Sequence, residues 1–300
     1  MSIPTNKYAY FALVLAFVLL WSSSFAAAKI TIQYGPPLIL LGSRFIIAGL
    51  MMIGYAVVTK TYRPVGAEGW AKLTILGLLN QVGYQGIAWM GMASGAVSSG
   101  LVAVIISMNP ILIALFAVPM FGEHMSLRRG AGLALGIVGV VIVLNSRITV
   151  TGEDVFGTSM LSIALLSMVL GSLYFKKWKM DIPLSVAIGG HLLTSGVILV
   201  IYSAFTEDLS TIIWGLPLAL SMAYIIIGAT IGGVGLWFFL LSHGNASDAS
   251  ALHFLMPPFG LMYGWVLLSE PVAIGDLLGI IPIGLGIWLA THKGKAKSTT

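Results

Sequence analysis

Side chains capable of chemistry are few in this chain and lie scattered through long apolar stretches. Arg44 is the sharpest of them, a permanent cation seven residues beyond Pro37 in a run without an acid. Its guanidinium could hold a carboxylate or other anion in a wet cavity. It could equally bond carbonyls and indoles of neighbouring helices, or reach outward to the interface. A polar stripe follows: Gln81 and Gln85 are four apart, as are Asn80 and Tyr84, and Trp89 continues near that side. Amides in lipid need partners, so the stripe faces the bundle interior, towards a cavity or towards other helices. Trp21 and Ser24 belong to a polar patch in the first apolar run. Ser98, Ser99, Ser107 and Asn109 form another in the fourth.

The second half contributes His191, Trp237, His253 and Tyr263. Aromatic faces can hold an apolar part of a cargo, and a tyrosine hydroxyl can fix a polar end. The candidate substrate-binding set is Trp21, Ser24, Arg44, Asn80, Gln81, Tyr84, Gln85, Trp89, Trp237, His253 and Tyr263. Pro110, Pro257 and Pro258 lie inside apolar runs, where each removes a backbone donor and can bend its helix. They are the candidate gating positions, though the same bends could simply shape the bundle.

Several chemistries are excluded. Without cysteine there is no disulfide framework and no thiolate chemistry. No metal site or cofactor is expected. An enzyme should cluster His, Asp and Glu at one face, and this chain does not. A phosphate-binding loop for direct ATP drive is also missing. No acid sits at the middle of an apolar run, so a carboxylate proton relay lacks a residue, whereas His191 or His253 could titrate near neutral pH. Proton coupling, exchange and facilitated diffusion all stay open.

The elements that must position these residues are set by composition. Hydrophobic residues make up 58% of 300 positions and charged residues 8%. A soluble domain carries about 25% charged side chains. With a mean hydropathy of +1.00, the chain reads as an all-α integral membrane protein. Crossing the hydrocarbon takes about 20 residues. Ten such runs fall at 9–28, 37–58, 70–91, 96–118, 129–146, 157–175, 183–203, 215–240, 249–268 and 275–291. Lys7 and the alanines at 26–28 also fit a cleavable signal, but the apolar run is long for one.

Charge placement gives the orientation. With a cytoplasmic N-terminus, the inner face receives Lys7, Lys60, Arg63, Lys72, Arg128, Arg129, Lys176, Lys177, Lys179, Lys293, Lys295 and Lys297, or 12 of 15 basic residues. Lys29 and Arg147 remain at outer ends. That asymmetry puts both termini in the cytoplasm. It also accounts for the net charge of +5 without a nucleic-acid partner.

The chain repeats at a spacing near 147 residues. Asn109-Pro110 followed by Glu123 answers Met256-Pro257 followed by Glu270, and Gly132 and Gly139 answer Gly279 and Gly286. The expected halves are 1–147 and 148–300. Five spans in each half force opposite orientations, so the repeats are inverted and suited to alternating access around a central site. A static scaffold has no comparable need for two such halves.

These features resemble the drug/metabolite transporter superfamily, specifically the EamA-type exporters. The resemblance rests on Trp21-Ser22-Ser23-Ser24-Phe25, Arg44-Phe45, Asn109-Pro110, Glu123 and Glu270. It implies a bacterial inner-membrane exporter of amino acids or related small metabolites, with similarity to the YddG-like amino-acid exporters. Efflux of hydrophobic drugs or nucleosides is the alternative. The partners implied are a small-molecule substrate and the lipid bilayer, with oligomeric state open.

Overall fold

A computed structural model describes residues 7–95, 97–122, 126–150, 154–178, 182–243, 253 and 255–291. Among them the chain is all helical apart from short turns. Helix α1 is Lys7–Thr31 and α2 is Pro37–Val58. Helix α3 spans 67–93 in three parts: Ala67–Gly77, a π-helical stretch Leu78–Gly86, and Ile87–Ala93. Helix α4 is Ser99–Ile106 and, after a break, Asn109–Phe121. Helices α5, α6 and α7 are Leu127–Val150, Val155–Lys177 and Leu184–Thr206. Helix α8 joins Leu216–Tyr224, π-helical Ile225–Val234 and Gly235–His243. Helices α9 and α10 are Met256–Leu268 and Ile274–Thr291.

Seven of the described helices are long and apolar enough to cross a membrane, namely α1, α2, α4, α5, α6, α7 and α8. The chain is thus an all-α, multi-pass membrane protein. Large hydrophobics on the outside, such as Leu50, Tyr55, Phe205 and Leu277, fit a lipid solvent.

Two helix pairs carry the closest packing. Gly42 lies against Gly196 and Gly49 against Gly189, so α2 and α7 run antiparallel. A methyl carbon at Gly49 would sit 2.9 Å from the Gly189 carbonyl oxygen, and one at Gly189 would sit 3.0 Å from that of Gly49. Helices α5 and α10 repeat the arrangement with Gly139 against Gly279 and Gly286 against Gly132. Lipid offers no hydrophobic drive between helices, so small residues and close backbone contact supply the attraction.

Several elements differ from the sequence expectation. The ninth run, expected from 249, is helical from Met256, while 249–252 lie outside the described residues. Pro110 and Pro257 stand in the first turns of helical segments, where no intrahelical donor is lost. In α4 a break precedes Pro110, at Ser107–Met108. The described prolines inside helices are Pro119 and Pro282. Arg147, expected at an outer helix end, does lie in the last turn of α5 but is buried there rather than exposed.

Candidate substrate cavity

Arg44 enters the bundle from α2 and is 2% exposed. Its Nε donates to Thr230 Oγ1 at 2.5 Å, and that hydroxyl donates to the Ile225 carbonyl at 2.8 Å. The π-helical turn of α8 makes this possible, since it places the hydroxyl five residues from the carbonyl it bonds. The guanidinium carbon lies 5.7 Å from the Trp89 ring centre and 5.2 Å from that of Phe45. Among the described residues no carboxylate pairs with it. Burying a cation costs several kcal/mol, and cation–π contact returns about 2 kcal/mol when desolvated. These contacts therefore offset only part of the cost of burying the charge.

A narrow cavity of about 20 Å³, room for roughly one water, lies beside it, lined by Trp21, Ser24, Arg44, Tyr84, Gln85 and Trp89 with apolar Phe25, Met92 and Val102. Six of the residues singled out from sequence thus meet at one place. Gln81 stands one turn behind. Its Oε1 accepts from Gln85 Nε2 at 2.6 Å, and its amide meets His191 Nε2 at 3.1 Å. His191 Nδ1 lies 2.9 Å from the Ala187 carbonyl, so Nδ1 carries the proton and Nε2 accepts from Gln81. This continuous chain runs from α7 to the cavity wall.

The other candidates go elsewhere. Asn80 turns to its own helix, reaching the Leu76 carbonyl at 3.5 Å, and packs on Gly171 of α6. Tyr263 lines a separate apolar groove of about 560 Å³ between α1, α8 and α9, with Ser23, Tyr224 and Leu267. Trp237 and His253 join Phe17 and Trp21 in a ring cluster below the cavity, with Trp237 and His253 centroids 4.5 Å apart. Pro110 and Pro257 are buried, Pro110 beside the break of α4, and Pro258 is exposed. Among the described residues there is no group of His, Asp and Glu suited to a metal.

The family comparison decides what such a bundle is. The model of the EamA-like transporter family matches the chain twice, over residues 8–145 and 155–291. The chain belongs to the EamA-like transporter family. This EamA-like protein is a multi-pass transporter of the inner membrane that moves small molecules, and not an enzyme. It is 28% identical to the uncharacterized transporter YvbV of Bacillus subtilis, over 95% of this chain and 93% of that one. It is 25% identical to a probable amino-acid metabolite efflux pump of Escherichia coli, over 92% of this chain and 93% of that one. A solved crystal structure has the same fold at a TM-score of 0.73 and 18% identity, covering 95% of this chain and 98% of that one.

Beyond the cavity, this EamA-like transporter carries a polar network that sequence reasoning missed. Glu270 accepts from the Ser99 and Gly100 backbone amides at 2.8 and 3.1 Å and from Ser99 Oγ at 2.8 Å, capping α4. Lys29 Nζ lies 3.4 Å from Glu270 and donates to the Val97 carbonyl at 2.9 Å. Arg147 makes a bidentate pair with Asp276 at 2.9 and 2.8 Å, both residues fully buried, and reaches Ser98 Oγ at 3.4 Å. The network ties α1, α4, α5, α9 and α10 together at the C-terminal end of α1. Ser98, Ser99, Glu270, Lys29 and Arg147 each stood out in the sequence, but nothing there paired them with one another or with Asp276. Thr230 had no sequence signal beyond lying 147 residues after Gly83.

Proposed function

We propose that this transporter exports amino acids or closely related carboxylated metabolites by alternating access, with Arg44 receiving the carboxylate. The observation that carries this reading is a buried guanidinium that lines a cavity and has no acidic partner among the described residues. Trp21, Tyr84 and Trp89 offer faces to a side chain, and Gln85 offers an amide to the polar end. The amino-acid cargo also draws support from the Escherichia coli relative, a probable amino-acid metabolite efflux pump.

In this reading all ten helices cross the membrane, as inverted halves 1–147 and 148–300 with both termini cytoplasmic. Support comes from features that recur 147 or 148 residues apart. The π-helical stretches start at Leu78 and Ile225, and the left-handed caps are Gly122 and Ser269. The antiparallel pairing of α2 with α7 and of α5 with α10 accords with opposite orientation. Pro110, Pro257 and Pro258 stay the gating positions in this reading, with the α4 break at Ser107–Met108 beside Pro110. A second reading, apolar cargo drawn from the bilayer, is favoured by the groove at Tyr263 and Tyr224.

Release of labelled amino acids from proteoliposomes, measured beside hydrophobic drugs and nucleosides, separates the two. Amino-acid release supports the first reading. Drug or nucleoside flux without amino-acid flux overturns it.

A further inference from the structure

Three buried polar atoms near one imidazole have no hydrogen-bond partner among the described residues: Trp21 Nε1, Trp237 Nε1 and Asn109 Oδ1. Their side chains are 6%, 1% and 0% exposed. The Trp237 and Trp21 rings stand 4.5 and 5.3 Å from the His253 ring, and Asn109 Nδ2 is 3.5 Å from His253 Nδ1. A buried donor or acceptor left unmatched is a standing cost, and native structures keep few of them. Here two indole N–H donors and one amide acceptor gather between the break of α4 and the first turn of α9. Trp21 belongs both to this cluster and to the cavity wall.

We infer that this cluster is a second, transit subsite for the α-amino carboxylate group of the cargo, adjoining the Arg44 cavity. It rests on the reading that the cargo is an amino acid. As the rings part, the indole N–H groups of Trp21 and Trp237 take over the carboxylate from Arg44, and Asn109 Oδ1 accepts from the ammonium. Such a division supplies the partner for the ammonium that the Arg44 cavity does not: no acid lines it. In the closed form the rings stack into a plug between the cavity and the N-terminal side of α1, with Phe17 completing it.

The test uses the full chain with leucine and its des-amino analogue isocaproate as probes, reading ligand-induced Tm shift for both and leucine flux in proteoliposomes. Trp237→Phe keeps a large ring but removes the donor. It is expected to raise the Tm of the empty protein by about 2 °C, as loss of an unmatched polar group should, while leucine flux falls roughly tenfold. Asn109→Leu is expected to weaken the leucine-induced shift and spare that of isocaproate, which has no ammonium. Arg44→Gln is expected to lose both. Unchanged flux in Trp237→Phe, a Tm that falls with the flux, or equal loss of both probes in Asn109→Leu overturns the subsite and leaves the Arg44 reading standing. If the wild type answers to neither probe, both readings fall.

Discussion

Arg44 of α2 and His191 of α7 stand 147 residues apart in sequence, and each reaches the π-helical stretch that follows in the other half. Arg44 bonds Thr230 of α8, and His191 bonds Gln81 of α3. The two cross-links are reciprocal, and both end within reach of one cavity. A π-helical turn widens the backbone and often marks a functional position. Here it presents Gln81 and Tyr84 on one side and Thr230 on the other.

Thr230→Val should leave the guanidinium without its anchoring acceptor. A hydrogen bond to a charged group is worth about 1.5–3 kcal/mol, so KM for a carboxylated cargo should rise by roughly tenfold or more. Initial-rate flux at varied substrate concentration measures it. An unchanged KM would mean that Thr230 does not position Arg44.

Asp276→Asn should be strongly destabilising, because Arg147 would keep its charge in a fully buried place. Breaking a buried pair typically costs about 3–5 kcal/mol. Replacing both partners, as Arg147→Met with Asp276→Leu, should recover most of that loss. Thermal unfolding in detergent of the two variants beside wild type reads the difference.

Glu270→Gln weakens the hold on Lys29 and on the first turn of α4. Lys29 is the one lysine that positive-inside placement leaves outside. An impermeant amine reagent added to intact cells should therefore label Lys29 slowly in wild type and faster in Glu270→Gln, with mass spectrometry locating the label. Labelling of Lys60 or Lys72 instead would reverse the proposed orientation.

Gly49→Val should jam α2 against α7. Even a single methyl carbon there meets Leu193 Cγ at 2.7 Å and the Gly189 carbonyl at 2.9 Å. Overpacking of this kind costs about 1–3 kcal/mol. The expected result is a lower Tm and flux reduced out of proportion to the folded fraction, measured by size-exclusion recovery and transport together.

The membrane character and the cluster of Trp21, Ser24, Arg44, Tyr84, Gln85 and Trp89 were legible in the sequence, because isolated polar groups in apolar runs have few places to go. Asn80 and Tyr263 were harder. Helical spacing gives neighbours on a face, but the π-helical turn at 78–86 turns Asn80 towards α6, and Tyr263 faces a groove between helices. Arg147 and Asp276 pair across 129 residues of sequence. That contact depends on how α5 and α10 cross, which their glycine spacing suggests but does not specify.

The most direct measurement of the central claim compares labelled amino-acid release from proteoliposomes holding wild type, Arg44→Lys and Arg44→Gln, each checked for folding. A carboxylate held by the Arg44 fork predicts flux in wild type, a partial loss with the point charge of lysine, and a fall of roughly tenfold or more with glutamine. Amino-acid flux that is the same in all three would contradict it.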